Sequence, residues 1–197
     1  MPKIIKDIEA KILRSAIELL KEKGYENVDM RLVAKANGIA VGTLYNYFSN
    51  KEELFLSALE ESWSDTIEIL DTIVESEETP DNKLTKFIET LYDGMVGRGG
   101  LGRQLILNDI VSTSKKRDKD NMKNSPTLTG LENIGDHLAD KLEVILRDLR
   151  TQNDVDVEED MIQRMGHSLI ILTGTTLGRF PNEREKNIAF LKRILNT

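Results

Sequence analysis

From Val41 to Lys51 the chain reads VGTLYNYFSNK, a stretch dense in hydrogen-bonding groups and nearly free of charge. Tyr45 and Tyr47 supply phenols, Thr43 a hydroxyl, Asn46 a carboxamide and Val41 a branched apolar tip, with Gly42 among them. Hydroxyls and phenols can donate to phosphate oxygens. A carboxamide can pair two ways with the edge of a base, and an apolar tip can lie against a thymine methyl. Lys51 follows where a new helix should begin, and both a cation and the free amides of a first turn favour phosphate. Arg31 and Lys35, a little upstream, are further cations within reach of the same kind of partner. These residue types point to recognition of nucleic acid rather than to nucleophilic or acid–base chemistry.

Such groups need a rigid mount, and the preceding residues supply one. The sequence predicts a helix over about Met30 to Asn37, a turn at Gly38-Ile39 and a second helix over about Val41 to Tyr47. Ala34 is small where two helices would cross. Gly38 lies four residues on, where a tight turn needs positive φ. Leu44 lies six further, where an apolar side chain would pin the second helix to the first. Small, glycine, apolar at these offsets is the logic of a helix-turn-helix. Upstream, Ile5, Ile8, Ile12, Ala16 and Leu19/Leu20 recur at helical spacing up to Gly24. Downstream, Ser49 with Glu52 or Asn50 with Glu53 forms a capping box that opens a long helix through about Glu75.

The rest of the chain also reads as helix. After the polar break ESEETPDN (75–82), Leu84, Phe87, Ile88, Leu91, Tyr92 and Met95 mark an apolar face that stops at GRGG (97–100). A helix near 101–114, a charged loop at 115–126, a long helix carrying Leu128 to Leu149, a linker at 151–156 and helices over about 157–179 and 183–195 complete the chain. The expectation is an all-α fold of about nine helices, with no internal repeat.

Composition narrows the function classes. The chain has 197 residues, 39% hydrophobic and 31% charged, as expected of a soluble globular protein. It has no cysteine, which removes disulfides, thiolate metal sites and cysteine nucleophiles. Its longest uncharged run of interest, 165–178, is too short and too polar to span a bilayer. The N-terminal sequence lacks a signal-peptide pattern, so a cytoplasmic location is expected. The net charge is −7, yet residues 1–51 carry 9 Lys/Arg against 6 Asp/Glu. A mildly basic N-terminal part on an acidic body can still present a local phosphate-binding face.

Apparent catalytic signals fail on context. Gly97-Arg98-Gly99-Gly100-Leu101-Gly102 spells G-x-G-x-x-G, but an apolar helix face precedes it where a dinucleotide site needs a strand. It reads as a helix-breaking turn. GHSLI (166–170) lacks the second glycine of a nucleophile elbow and lies in a helix. His137 and His167 are the only histidines, 30 residues apart and without a nearby carboxylate constellation, so no metal site is expected. Neither a catalytic site nor a cofactor is expected. Asp109 falls between Leu105 and Ile106 on its helix. It could face inward to meet a cationic ligand, or simply form a salt bridge.

Residues 12–54, ILRSAIELLKEKGYENVDMRLVAKANGIAVGTLYNYFSNKEEL, closely resemble the DNA-binding region of TetR-family (tetracycline-repressor-like) transcriptional regulators. The resemblance is carried by Gly24-Tyr25, Val33-Ala34-Lys35, Gly38-Ile39, Gly42-Thr43-Leu44-Tyr45, Tyr47-Phe48 and Lys51-Glu52-Glu53-Leu54. It departs from the family pattern at Asp29, where a helix-capping threonine or serine is usual, at Ala40 for a serine cap, and at Val41 for a lysine.

The resemblance implies a DNA-binding domain over 6–66, with the helix-turn-helix at about 29–48, and a ligand-binding and dimerisation domain over 67–197. It implies a homodimer on a palindromic operator in double-stranded DNA, released by a small-molecule effector. Arg31, Val41, Gly42, Thr43, Tyr45, Asn46, Tyr47 and Lys51 would touch DNA, and Trp63, Tyr92, Met95 and Asp109 would line the effector site, although Trp63, Tyr92 and Met95 are most simply core residues. The alternative is an effector-independent DNA-organising or adaptor protein of the same fold. The final two helices are expected to form the dimer through Met161, Met165, Leu169 and Leu172 on one and Ile188, Leu191 and Leu195 on the other. Gly166, Gly174 and Gly178 would permit close approach.

Overall fold

The computed structural model describes residues 3–99, 126–153 and 159–195, and every regular element within them is helical. In chain order these are α1 (Lys3–Lys23), a single 3-10 turn (Tyr25–Asn27), α2 (Met30–Asn37), α3 (Val41–Tyr45), α4 (Lys51–Glu75) and α5 (Pro80–Gly97). Then follow α6 (Pro126–Gln152), α7 (Glu159–Arg179) and α8 (Arg184–Leu195). The all-α expectation holds. The helix expected near 101–114, and Asp109 with it, lies outside the described residues.

Helix ends follow from local chemistry. Gly24 stops α1 at φ 76°, and its N–H closes the last turn onto the Leu20 carbonyl at 2.9 Å. The Asn50 side chain accepts from the Glu53 amide at 2.8 Å, while Glu53 reaches back to accept from the Ser49 amide at 2.7 Å. Of the two capping pairs the sequence allows, Asn50 with Glu53 is the one that forms. Thr79 caps α5, with Pro80 in its first turn, where a missing N–H costs nothing.

The chain divides into two compact units, with the boundary inside the continuous helix α4 after Trp63. Among the described residues the first unit is built on α1, α2, α3, the start of α4 and the first turns of α6. Its core includes Ile12, Ala16, Val33, Leu44, Leu54 and Phe55, each fully or almost fully buried. Burying a side chain such as Leu44 stabilises the fold by about 1.5–3 kcal/mol.

In the second unit α5, α7 and α8 pack on one another. Tyr92 of α5 and Asn187 of α8 are both buried, and the Asn187 amide donates to the Tyr92 hydroxyl at 2.9 Å and to the Phe180 carbonyl at 2.8 Å. Arg184 grips Asp93 with two bonds of 2.8 and 2.6 Å. Between α6 and α7 the approach is close, since a Cβ on Gly166 would lie 3.0 Å from that of Ala139.

The last two helices differ from the sequence expectation in one respect. Leu169, Ile188, Leu191 and Leu195, expected on the dimer stripes, are largely buried within the single chain. The large apolar side chains left exposed there are Met161, Ile171, Phe180, Phe190 and Ile194.

Candidate nucleic-acid interface

The helix-turn-helix expected at about 29–48 is present. Asp29 is the N-cap of α2, in extended backbone, and its Oδ1 accepts the Leu32 amide at 2.8 Å. Gly38 ends the helix in the left-handed region at φ 67°, and its N–H and that of Ile39 close the turn onto Lys35 and Ala34 carbonyls. A side chain at Gly38 would be strained by backbone alone. Ala34 and Leu44 face each other's helices, at 1% and 0% exposure, as the spacing requires. Helix α3 is shorter than expected and ends at Tyr45, with Asn46 as its C-cap. Ala40, its N-cap, provides no side-chain bond.

This packing leaves a defined outward face. Gly42, Thr43, Tyr45 and Asn46 are exposed, Val41 and Tyr47 half-buried, and Leu44 and Phe48 buried. Half of the Tyr45 surface is open to solvent. A Cβ at Gly42 would meet nothing within 4 Å, so the tip of α3 is unobstructed. Arg31 and Lys35 are exposed on α2. The face is therefore polar, almost uncharged, and flanked by cations on the neighbouring helix.

Lys51 is held more firmly than its sequence position suggested. Its ammonium donates to the Tyr25 carbonyl at 2.5 Å and lies 3.9 Å from the centre of the Tyr25 ring, which meets Phe55 edge-on at 5.4 Å. Partial burial pushes its pKa below the usual lysine value, while Glu26 and Asp29 act to raise it. The residue ties the start of α4 to the segment between α1 and α2, a contact 26 residues apart in sequence that no local pattern could reveal.

Of the residues expected at an effector site, Trp63 and Tyr92 are buried and Met95 is half-buried. The Tyr92 hydroxyl is engaged by Asn187, a partner the sequence did not point to. His167 is not solitary. Its Nε2 donates to Asp136 at 2.9 Å across α6 and α7, and Nδ1 faces the Gln163 carbonyl at 3.1 Å. Two acceptors on one ring favour the doubly protonated form, and the Asp136 bond, with the Gln163 bond next, raises its pKa. Among the described residues no group of three His, Cys, Asp or Glu could hold a metal, and no helix is long and apolar enough to cross a membrane.

Residues 12–58 match the family described as bacterial regulatory proteins, tetR family. The chain is 31% identical over 86 residues to the fatty acid metabolism regulator protein of Bacillus subtilis, 44% of each chain. It is 46% identical over 54 residues to the transcriptional repressor KstR of Rhodococcus jostii, 27% of this chain and 26% of that one. The matched stretches thus span less than half the length of these curated relatives.

The fold extends further. The crystal structure of FadR from Bacillus subtilis with stearoyl-CoA superposes with a TM-score of 0.68 at 21% identity, covering 94% of this chain and 96% of that one. PfmR from Thermus thermophilus gives 0.64 at 21% identity, covering 93% and 96%. The family match falls on the helix-turn-helix whose geometry is described above, so the likeness to the tetR family of bacterial regulatory proteins is carried by residues 12–58.

Proposed function

We propose that the protein is a homodimeric transcriptional repressor that reads a palindromic operator with the outward face of α3 and leaves it when a small molecule binds the second unit. The observation that carries the DNA reading is the exposed, nearly uncharged set Thr43, Tyr45 and Asn46 on a helix locked from behind by Leu44 and Phe48. Thr43 and Asn46 are the base-reading groups. Tyr45, Tyr47, Arg31 and Lys51 hold the phosphates, which set register without reading sequence.

A two-fold dimer uses the same patch on both copies. The exposed apolar residues of α7 and α8 support that patch here. Met161, Met165, Leu172 and Ile194 help to line a shallow concavity of about 220 Å³, and a Cβ at Gly174 would meet nothing within 4 Å. A second copy would close this surface. Gly166, by contrast, accommodates Ala139 of the same chain.

The FadR relative was crystallised with stearoyl-CoA. That likeness favours a fatty acyl thioester as the effector class, with Tyr92 and Met95 of the second unit the residues we assign to effector response. The test is selection of duplexes from a random pool by the purified chain, repeated with Thr43→Ala and Asn46→Ala. The proposal expects a palindrome whose preferred bases change in each variant. It fails if the variants enrich the same sequence as wild type. Stearoyl-CoA added to the selected complex should release the DNA, and release by no acyl-CoA of any chain length would remove that effector class.

A further inference from the structure

Helix α5 ends at Gly97, and Arg98 is its C-cap. The Arg98 side chain does not extend into solvent but lies back along the helix, only 8% exposed. One terminal nitrogen donates to the Gly94 carbonyl at 2.5 Å, and the other donates to the Thr66 hydroxyl of α4 at 2.7 Å. A helix's last carbonyls lack amide partners, and its C-terminal end attracts positive charge, so the first bond caps α5 from within. The second bond leaves the helix altogether and reaches one 32 residues earlier in sequence.

Two neighbours are shaped around this contact. Thr66 is itself buried, at 8% exposure. Gly94 lacks the Cβ that would stand 2.8 Å from the Arg98 nitrogen and 3.2 Å from the Thr66 methyl. Burial lowers the guanidinium pKa to about 10, with Asp65 opposing, so it remains a cation at neutral pH. Thr66 lies three residues beyond Trp63, where the first segment of the first unit ends, on the same unbroken helix that begins at Lys51.

We propose that Arg98 is a positioning residue for the DNA-reading unit, fastening the last turn of α5 to α4 at Thr66 so that movement of that turn is carried along α4. The consequence for DNA rests on the repressor reading above, but the fastening itself does not. A ligand that displaces the end of α5 acts on α4 through a short, directional, charge-assisted bond rather than through general packing. Gly94 and Thr66 are then specific requirements of the coupling, not interchangeable core positions.

The experiment uses the full-length chain as Thr66→Val, which keeps the shape and removes the hydroxyl, and Thr66→Ser, which keeps the hydroxyl. Amide hydrogen exchange is followed over 55–63, 64–75 and 94–97. Loss of a hydrogen bond to a charged donor should speed exchange in Thr66→Val by about tenfold to a hundredfold in both helices. The effect should cross Trp63 into 55–63, while protection of α7 and α8 stays unchanged. Thr66→Ser should restore most of the protection in all three segments. Faster exchange confined to 64–75 and 94–97, or spread evenly through α7 and α8, or not rescued by serine, would overturn the proposal.

Affinity for a duplex selected by wild type is measured in parallel. It should fall in Thr66→Val and recover in Thr66→Ser. If wild type selects no sequence, the repressor reading fails, and the exchange pattern alone decides the fastening.

Discussion

Asp29 is the residue at which the account commits itself most sharply. It caps α2 by accepting the Leu32 amide at 2.8 Å, and it is solvent-exposed at the N-terminal end of that helix. A threonine there can accept the same amide, so Asp29→Thr should change stability by only a few tenths of a kcal/mol, whereas Asp29→Ala should lose about 1 kcal/mol. The charge matters separately. If this helix end lies beside the DNA backbone, an aspartate about 4 Å from a phosphate costs about 1 kcal/mol in water, or about fivefold in affinity per half-site. Added salt shrinks that penalty.

Asp29→Thr should therefore tighten binding to the operator and to random DNA alike, because phosphate contacts carry no sequence information. Its advantage over wild type should be largest at low ionic strength. The assay is a titration of both duplexes by fluorescence anisotropy across a salt series, with melting curves to confirm equal folding. Weaker binding by a folded Asp29→Thr would refute the reasoning and make Asp29 a favourable contact.

Further expectations concern the second unit. Gly174→Lys should leave the fold intact, because the site faces open space, yet shift sedimentation from dimer to monomer; a persisting dimer would place the interface elsewhere. Asn187→Leu leaves the Tyr92 hydroxyl and Phe180 carbonyl without their donor, and should cost about 2–4 kcal/mol of stability in a denaturant titration. The His167–Asp136 pair should make stability pH-dependent. The folded pKa lies above the ordinary value, so the contribution is full at pH below about 6.5 and is lost as pH rises through the folded value. Because both groups are largely exposed, the effect should be small and weakened by salt, and His167→Gln should abolish it.

Much of the first unit could be read from the sequence because its determinants are local. Asp29 and Gly38 bound α2 where expected, and Ala34, Gly38 and Leu44 fixed which face of α3 would remain outside. Three things escaped. Lys51 and Arg98 each find partners tens of residues away, so one read only as a phosphate-binding cation and the other as part of a glycine turn. Asp136 and His167, on different helices, meet only once α6 and α7 pack. In α7 and α8 the apolar spacing was recognised, but periodicity says that a stripe is buried, not against what. Leu191 and Leu195 turned inward, leaving Phe190 and Ile194 outside.

The central claim is that the outer face of α3 reads DNA, and methyl NMR on the full-length chain tests it most directly. Titration with the selected duplex should shift the Val41 and Thr43 methyl signals strongly, leave the buried Leu44 signal less affected, and lose those shifts when the duplex is replaced by one with both half-sites scrambled. Shifts concentrated instead on α7 and α8, or identical for the scrambled duplex, would contradict the account.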